Sequence, residues 1–153
     1  MKILIASDHA GFELKKELIL SLTELGHEVE DKGPFQYVSD DDYPDFVLPV
    51  AEEVSKNENI KAIILGGSGQ GEAIVANRFK NVRAVVYYAD NPDVIKLTRE
   101  HNDSNVLSLG ARFLSVEEAK EAVQLWLETK FSGESRHSRR LQKINLLSNR
   151  VTK

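Results

Sequence analysis

Short apolar runs rich in β-branched residues alternate along the chain with longer amphipathic stretches. Leu14, Leu18, Leu22 and Leu25 recur at spacings of four, four and three, which places them on one helical face. Continuous apolar runs are typical of strands that are buried on both faces. The pattern predicts a weak strand at 27–30 and stronger strands at 3–6, 62–65, 83–88 and 105–109, with 62–65 and 83–88 fully buried.

The predicted helices carry recognisable start signals. Asn91-Pro92 places a cap before a first-turn proline, and Ser115 with Glu118 fits a capping box. A helix is also expected over 45–56, where Pro49 would either kink it or mark its true start.

Five strand–helix pairs in this order require right-handed crossovers and a parallel sheet covered on both faces. The sequence therefore predicts an α/β fold, a doubly wound, Rossmann-like three-layer sandwich with a five-stranded parallel sheet. No linker or repeat divides the sequence, so residues 1–153 are expected to form a single domain. A basic C-terminal helix within 136–153, running to about Arg150, would carry Leu141, Ile144 and Leu147 on one side. We expect that side to pack on a partner or across the domain edge.

Composition narrows the possible chemistry. The 153 residues are 41% hydrophobic and 29% charged, and no segment approaches the length of a membrane span. The apolar run after Met1 is too short for a signal peptide, so a cytoplasmic location is expected. The chain contains no cysteine, which excludes disulfides, thiolate metal sites and a thiol base or nucleophile.

The net charge of −4 conceals an asymmetry along the chain. Six basic and no acidic residues lie within 136–153, which leaves 14 basic against 24 acidic residues, a net charge of −10, in the remainder. A basic tail is typical of anion binding, and the alternative is a solvated helix. The acidic body would repel nucleic acid, so neither nucleic acid nor a membrane is an expected partner.

Polar and glycine-rich segments follow the predicted strands, at the carboxyl ends where open α/β sheets bind ligands. These segments are Ser7-Asp8-His9, 66–72, 89–91 and 110–112. The glycine-rich segment 66–72 would present backbone N–H groups to an anion, and the alternative is a simple tight turn. No Gly-Lys-Ser/Thr follows, so it is not a Walker loop, and the first strand lacks the dinucleotide motif.

Histidines and one carboxylate stand out in these segments. His9 and His101 are predicted to lie at ligand-facing ends, each with an aspartate neighbour in sequence, whereas His27 is expected to be structural. Glu72 opens a helix at the end of the glycine-rich segment, where the helix dipole would favour the ionised carboxylate that a general base needs. Its alternative role is ordinary helix stabilisation.

The carboxylates and histidines show no metal-ligand spacing, so no metal site is expected.

Six ordered motifs span nearly the whole chain. They are Ser7-Asp8-His9-Ala10-Gly11-Phe12, Asp42-Tyr43-Pro44-Asp45, the glycine-rich segment with Ala76-Asn77-Arg78, Arg99-Glu100-His101-Asn102-Asp103, Gly110-Ala111-Arg112, and Arg136-His137-Ser138-Arg139-Arg140. In this order the sequence resembles the ribose-5-phosphate isomerase B family, which includes the subunits of galactose-6-phosphate isomerase.

The resemblance implies that an aldose phosphate is interconverted with its ketose isomer through an enediolate, as in the pentose phosphate pathway. It also implies that no metal or organic cofactor is needed. The protein would be a homodimer or a dimer of dimers with active sites shared between subunits. Ribose 5-phosphate is the expected substrate; the alternatives are an isomerase of allose 6-phosphate or galactose 6-phosphate, and a non-catalytic sugar-phosphate binding module.

Roles for individual residues also follow from the resemblance. His101 would help to open the sugar ring, and Asp8 and His9 would lie beside the substrate. The reacting oxygens would be surrounded by Ser68, Asn102 and the amides of Gly67, Gly69 and Gly71, and Tyr43 would line the pocket. The phosphate would be held by Arg112, Arg136 and Arg140, with His9 assisting and His137 near the mouth.

One position departs from the commonest pattern of the family. Many members carry a cysteine base where this chain has Gly66, and a glycine cannot move a proton. Another branch uses a glutamate at the position of Glu72. The resemblance therefore implies that Glu72 carries the proton between C2 and C1.

Overall fold

The computed structural model describes residues 1–88 and 91–148, in which strands and helices alternate. The strands are β1 (Lys2–Ser7), β2 (Glu28–Asp31), β3 (Lys61–Gly66), β4 (Ala84–Tyr87) and β5 (Val106–Gly110). The helices are α1 (Phe12–Glu24), α2 (Tyr43–Lys56), α3 (Gln70–Ala76), α4 (Pro92–Glu100), α5 (Val116–Glu128) and α6 (Ser135–Ser148), with a short 3₁₀ turn at His9–Gly11 between β1 and α1.

All strand pairs are parallel, and the sheet order is β2-β1-β3-β5-β4. One face of the sheet packs on α1 and α5, where Trp126 is completely buried, and the other face packs on α2 and α3. The predicted three-layer α/β fold with five parallel strands is confirmed. In this order the connections change direction between β1 and β3, which makes the crevice beyond their carboxyl ends the expected ligand site.

The N-terminal caps that the sequence predicts for α4 and α5 are present. The Asn91 side chain accepts a hydrogen bond from the N–H of Asp93 and caps α4. Ser115 and Glu118 form a reciprocal capping box at the start of α5. These caps satisfy N–H groups that have no partner within the helix, which is why both helices begin where they do.

One sequence-based expectation about local structure is wrong, and one of the two alternatives for Pro49 is excluded. The strand β4 is only half-buried over most of its length because it lies at the edge of the sheet. The helix α2 begins at Tyr43, with Pro44 in its first turn, so the interior Pro49 does not mark its start. Pro44 lacks an N–H and therefore suits a first turn, where that group would have no helical partner.

The helix α6 lies outside the two-sided core. Leu141 is half-buried, whereas Ile144 and Leu147 are 48% and 56% exposed. The predicted basic tail extends past this helix, and its Arg150 and Lys153 lie outside the described residues, as do the predicted ligand-edge residues Ala89 and Asp90. Among the described helices, none combines the length and apolar character that crossing a membrane requires.

Candidate active site

The carboxyl ends of β1 and β3 place two of the predicted segments side by side. The backbone N–H of Asp8, just beyond β1, donates to the carbonyl of Leu65 near the end of β3 at 3.1 Å. The Asp8 carboxylate then accepts hydrogen bonds from the N–H groups of Ala10 (2.8 Å) and Gly11 (3.1 Å). Asp8 is thus buried and fixed at the start of the 3₁₀ turn, beside the glycine-rich segment.

The glycine-rich segment 66–72 turns tightly from β3 into α3. Gly69 has a φ of 76°, a left-handed conformation that a residue with a side chain adopts only under strain. Its carbonyl accepts a 2.6 Å hydrogen bond from the hydroxyl of buried Ser108 on β5. Ser68, between Gly67 and Gly69, accepts a 3.4 Å hydrogen bond from the N–H of Gln70. The loop is therefore anchored to the neighbouring strand.

The Glu72 side chain folds back over the beginning of this loop. A Cβ added at Gly66 would lie 1.8 Å from Glu72 Oε1 and 2.1 Å from its carboxyl carbon. Glu72 is only 3% exposed. The absence of a side chain at position 66 is thus what gives the carboxylate its place beside the crevice.

Burial raises the pKa of Glu72 above the ordinary 4.5, and the charge of nearby Asp8 adds to the rise, while the residue's own backbone N–H opposes it. The sequence-based expectation that the helix dipole would favour the ionised form is therefore wrong in direction. Desolvation of a carboxylate outweighs the field of a short helix. A raised pKa suits a group that must take up a proton and release it again.

His9 obtains its partner from a loop distant in sequence. Its Nδ1 lies 2.7 Å from Asp41 Oδ1, and its backbone N–H donates to the same oxygen at 3.0 Å. His9 thus bonds Asp41 rather than its sequence neighbour Asp8, which caps the 3₁₀ turn. Asp103, the neighbour of His101, forms ion pairs with Arg83 and Arg99.

Asp8, His9 and Asp41 offer ligand atoms that all lie within 4.8 Å of one another. Spacing along the sequence does not indicate this cluster, because a distant loop supplies Asp41. The protein's own N–H groups already occupy one oxygen of each carboxylate. A cation here would compete with these hydrogen bonds, so the cluster is primarily an internal hydrogen-bonded unit.

Tyr43 and Arg112 close two sides of the glycine-rich segment. A Cβ at Gly71 would lie 2.6 Å from Cζ of Tyr43, so the phenol ring lies directly against the loop. A Cβ at Gly67 would lie 3.2 Å from Nη1 of Arg112, whose backbone N–H donates to the Gly67 carbonyl. Arg112 is itself exposed and leaves its guanidinium accessible to an anion at this edge.

The remaining predicted residues lie at the opposite edge of the sheet. His101 caps the end of α4 and precedes β5, whose amino end begins at Val106. Five residues of β5 separate the two edges by about 16 Å along the strand. The expectation that His101 lies at the ligand-facing carboxyl edge is therefore wrong within one chain. A helix that follows a parallel strand must end near the amino edge, where the next strand begins.

His101 and His137 stack at this amino edge, with ring centroids 4.1 Å apart and an angle of 13° between the planes. His137, in the first turn of α6, is 3% exposed, and within residues 1–88 and 91–148 its Nε2 has no hydrogen-bond partner. Burial lowers the pKa of His137 below 6.5, and the nearby His101 lowers it further. Both effects favour the neutral form of the ring.

Three other predicted residues accompany this pair. Arg136 and Arg140 are exposed on α6, and Arg136 donates to Glu134 at 2.8 Å. Asn102 is exposed and lines a 330 Å³ groove between the β4 edge and α6, together with Leu141 and Ile144. The amino edge thus presents the half-buried His101 imidazole, an amide and two guanidinium groups to the outside, with His137 buried against His101.

The structure divides the predicted site residues into two groups. The carboxyl-edge group contains Asp8, His9, Tyr43, Gly67, Ser68, Gly69, Gly71, Glu72 and Arg112. The amino-edge group contains His101, Asn102, Arg136, His137 and Arg140. Asp41 belongs with the first group and was missed, since its only sequence signal is an acidic stretch before α2.

Comparisons with known proteins identify the family. Residues 3–144 match the model of a family described as Ribose/Galactose Isomerase. Ribose-5-phosphate isomerase B of Escherichia coli is 40% identical over 149 residues, which cover 97% of each chain. A crystal structure of ribose-5-phosphate isomerase B from Mycoplasma genitalium with bound ribulose-5-phosphate superposes with a TM-score of 0.92 at 37% identity, covering 97% of this chain and 96% of the other.

The corresponding protein of Clostridium thermocellum also superposes with a TM-score of 0.92, at 39% identity over 99% of this chain and 100% of its own. Sequence, sheet order and the glycine-rich segment at the end of β3 thus lead to the same assignment. This chain belongs to the ribose/galactose isomerase family.

Proposed function

We propose that this protein interconverts ribose 5-phosphate and ribulose 5-phosphate, with Glu72 as the base. The observation that carries the proposal is the Glu72 carboxylate, which lies within 1.8 Å of the place where a Cβ at Gly66 would be. An acid–base group thereby stands at the end of β3, next to the anion-binding glycine-rich segment. The relatives named ribose-5-phosphate isomerase B favour the five-carbon substrate.

The reaction needs a base beside C2 of the open-chain aldose. Ionised Glu72 removes the C2 proton, and the electrons form an enediolate whose negative charge develops on the C1 oxygen. Ser68 and the N–H groups of Gly67, Gly69 and Gly71 donate to that oxygen and lower the barrier. The proton of the C2 hydroxyl passes to the C1 oxygen, and protonated Glu72 returns its proton to C1, which leaves a carbonyl at C2, yields the ketose and restores the carboxylate. A carboxyl group that must be ionised in one step and protonated in the next works best when its pKa is near the pH of the reaction.

We also propose that the complete site forms between two copies of the chain. His101 and Asn102 lie about 16 Å along the strands from the carboxyl edge of their own sheet. The half-exposed β4 edge and the exposed apolar residues of α6 provide a surface for a second copy. In the homodimer, His101 of the partner subunit opens the sugar ring. Arg112 of one subunit and the two α6 arginines of the other hold the phosphate, a dianion that suits several guanidinium donors.

A direct assay tests the proposed reaction. The purified protein is incubated with ribose 5-phosphate, allose 6-phosphate and galactose 6-phosphate in separate reactions, and ketose formation is measured. We expect turnover of ribose 5-phosphate, and a fall of at least about a hundredfold in kcat for Glu72→Gln. Glu13→Gln, a change at an exposed helical carboxylate, is the control. Near-normal turnover by folded Glu72→Gln would refute the assignment of the base.

A further inference from the structure

Asp41 makes a contact with the site that its position in the sequence does not suggest. It lies in the loop between β2 and α2, and its carboxylate reaches the 3₁₀ turn after β1. One oxygen, Oδ1, accepts the backbone N–H of His9 at 3.0 Å and lies 2.7 Å from Nδ1 of the same residue. A single carboxylate oxygen therefore fixes both the backbone and the ring of His9.

The environment of Asp41 makes this contact difficult to replace. The Asp41 side chain is only 7% exposed and that of His9 is 25% exposed. Asp41 Oδ2 is buried and has no hydrogen-bond partner among the described residues. Burying a carboxylate with one unsatisfied oxygen costs free energy, and the contact with His9 is what offsets part of that cost.

The contact also determines which ring nitrogen carries the proton. A carboxylate oxygen only accepts hydrogen bonds, so Nδ1 must be protonated to bond it. In neutral His9 this leaves Nε2 as the acceptor, and no hydrogen bond to Nε2 is formed within the described part of the chain. When the ring is protonated, the same arrangement leaves the Nε2–H free to donate.

We propose that Asp41 is a positioning residue that holds His9 in the Nδ1–H tautomer and presents its Nε2 to the sugar phosphate. Asp8 has a different role here, because its Oδ1 accepts the N–H groups of Ala10 and Gly11 and caps the 3₁₀ turn. The inference about the tautomer stands on the geometry alone. Its consequence for turnover rests on the proposed isomerase function.

The first test measures the tautomer in the unmodified protein. The chain has four histidines, and the ¹⁵N ring signals of His9 are assigned by their loss in His9→Asn. We expect ¹⁵N–¹H correlations characteristic of a protonated Nδ1. In Asp41→Asn the two nitrogens should move towards a mixture of tautomers, because the amide can also donate to Nδ1. A protonated Nε2 with bare Nδ1 in the unmodified protein would overturn the proposal, as would unchanged His9 signals in Asp41→Asn.

The second test is kinetic and uses a double-mutant cycle. Asp41→Asn should lower kcat/KM by about tenfold or more, as the loss of a residue that orients a histidine commonly does. In the His9→Asn background the same change should have no further effect, since Asp41 acts through His9. An equal loss in both backgrounds would overturn the proposal. Asp40→Asn removes the same charge from the exposed neighbouring residue and should leave kcat/KM unchanged.

The two tests separate failure of this inference from failure of the proposed function. If the protein does not act on ribose 5-phosphate, the kinetic cycle shows no turnover in any variant, and the NMR result alone decides the tautomer. If turnover is present but the tautomer is wrong, the isomerase proposal stands and the role of Asp41 is refuted. The Asp41→Asn change preserves the shape of the side chain, and circular dichroism verifies that the variant is folded.

Discussion

At the scale of single residues, Glu72 occupies the space in which a side chain at position 66 would begin. Oε1 of Glu72 lies 1.8 Å from that Cβ position, which is well inside van der Waals contact. The Glu72 carboxylate can lie there only because residue 66 is a glycine. A substitution at either position is therefore expected to affect the other residue.

Gly66→Ala should displace the Glu72 carboxylate while leaving the strand intact. A shift of about 1 Å in a reacting group can cost about a hundredfold in rate, so we expect a fall of that size in kcat/KM. The measurement is a double-mutant cycle with Glu72→Ala. Because the alanine at 72 leaves room for the new methyl group, Gly66→Ala should have little further effect in that background. If Gly66→Ala lowers kcat/KM just as much in the Glu72→Ala background, position 66 does not act through the Glu72 carboxylate.

The raised pKa of Glu72 predicts the pH dependence of turnover. The base must be ionised, and its folded-state pKa lies above the ordinary 4.5. The rate should therefore fall as the pH drops, and the midpoint of that acid limb in kcat/KM should lie above 4.5. Glu72→Asp should shift the midpoint if this group is responsible. An acid limb at or below 4.5 in the unmodified protein would contradict the prediction.

Motifs identified Glu72, but sequence reasoning gave its pKa shift the wrong sign and overlooked Asp41. The argument from the helix dipole uses only neighbours in sequence, whereas the shift is dominated by burial in the folded chain. Asp41 reaches His9 across 32 residues. No local pattern indicates that the loop before α2 folds over the turn after β1.

At the scale of elements, the side-chain caps of α4 and α5 were the most predictable features. The Ser115 hydroxyl accepts from the N–H of Glu118 at 3.2 Å, and the Glu118 carboxylate accepts from the N–H of Ser115 at 2.8 Å. These interactions occur within four consecutive residues, so a sequence pattern contains everything they need. The burial of β4 was not predictable in this way, because its apolar run does not reveal that it lies at the edge of the sheet.

Ser115→Ala should destabilise α5 without affecting the active site. The loss of an N-cap hydroxyl typically costs about 1 kcal/mol. We expect the free energy of unfolding, measured by urea titration, to fall by about that amount while KM is unchanged. Ser55→Ala, whose hydroxyl bonds a backbone carbonyl within α2, is a matched control at another helical serine. If the free energy of unfolding falls no more in Ser115→Ala than in Ser55→Ala, the Ser115 cap contributes little to stability.

A buried ion pair between elements escaped the sequence reasoning. Lys15 on α1 is 1% exposed, and its Nζ bonds both carboxylate oxygens of Asp31 at 2.7 and 2.9 Å and the carbonyl of Pro34 at 2.7 Å. The periodicity of α1 indicates only that position 15 faces the protein. A cation can occupy such a position because the end of β2 supplies its acceptors, which depends on tertiary structure.

At the scale of the whole molecule, the site residues fall on opposite edges of one sheet. If each active site takes Glu72 from one subunit and His101 from the other, Glu72→Gln and His101→Asn damage the contributions of different subunits to a site. Each variant alone should be nearly inactive. After joint unfolding and refolding, half of the dimers would be mixed, each with one intact site, so activity should return to about a quarter of normal. No recovery would place both residues in a site formed by a single chain.

The arginines of α6 should act on binding rather than on chemistry. Arg136→Ala and Arg140→Ala remove charged donors to the phosphate, so each should raise KM for ribose 5-phosphate by about tenfold to a hundredfold, with a smaller effect on kcat. Steady-state kinetics measures both parameters. Arg139→Ala removes an equal charge from the adjacent, exposed position and serves as the control. If all three variants behave alike, only the overall positive charge of the helix matters.

The sequence by itself determined the fold class, the strand–helix order, the helix caps and the family, because these depend on periodicity, short-range hydrogen bonds and ordered motifs. The tertiary structure alone decided that β4 is an edge strand, that Asp41 holds His9, that burial raises the pKa of Glu72, and that His101 lies at the amino edge. Each of these depends on which distant segments meet and on how much water they exclude. Those quantities arise only when the whole sheet is assembled.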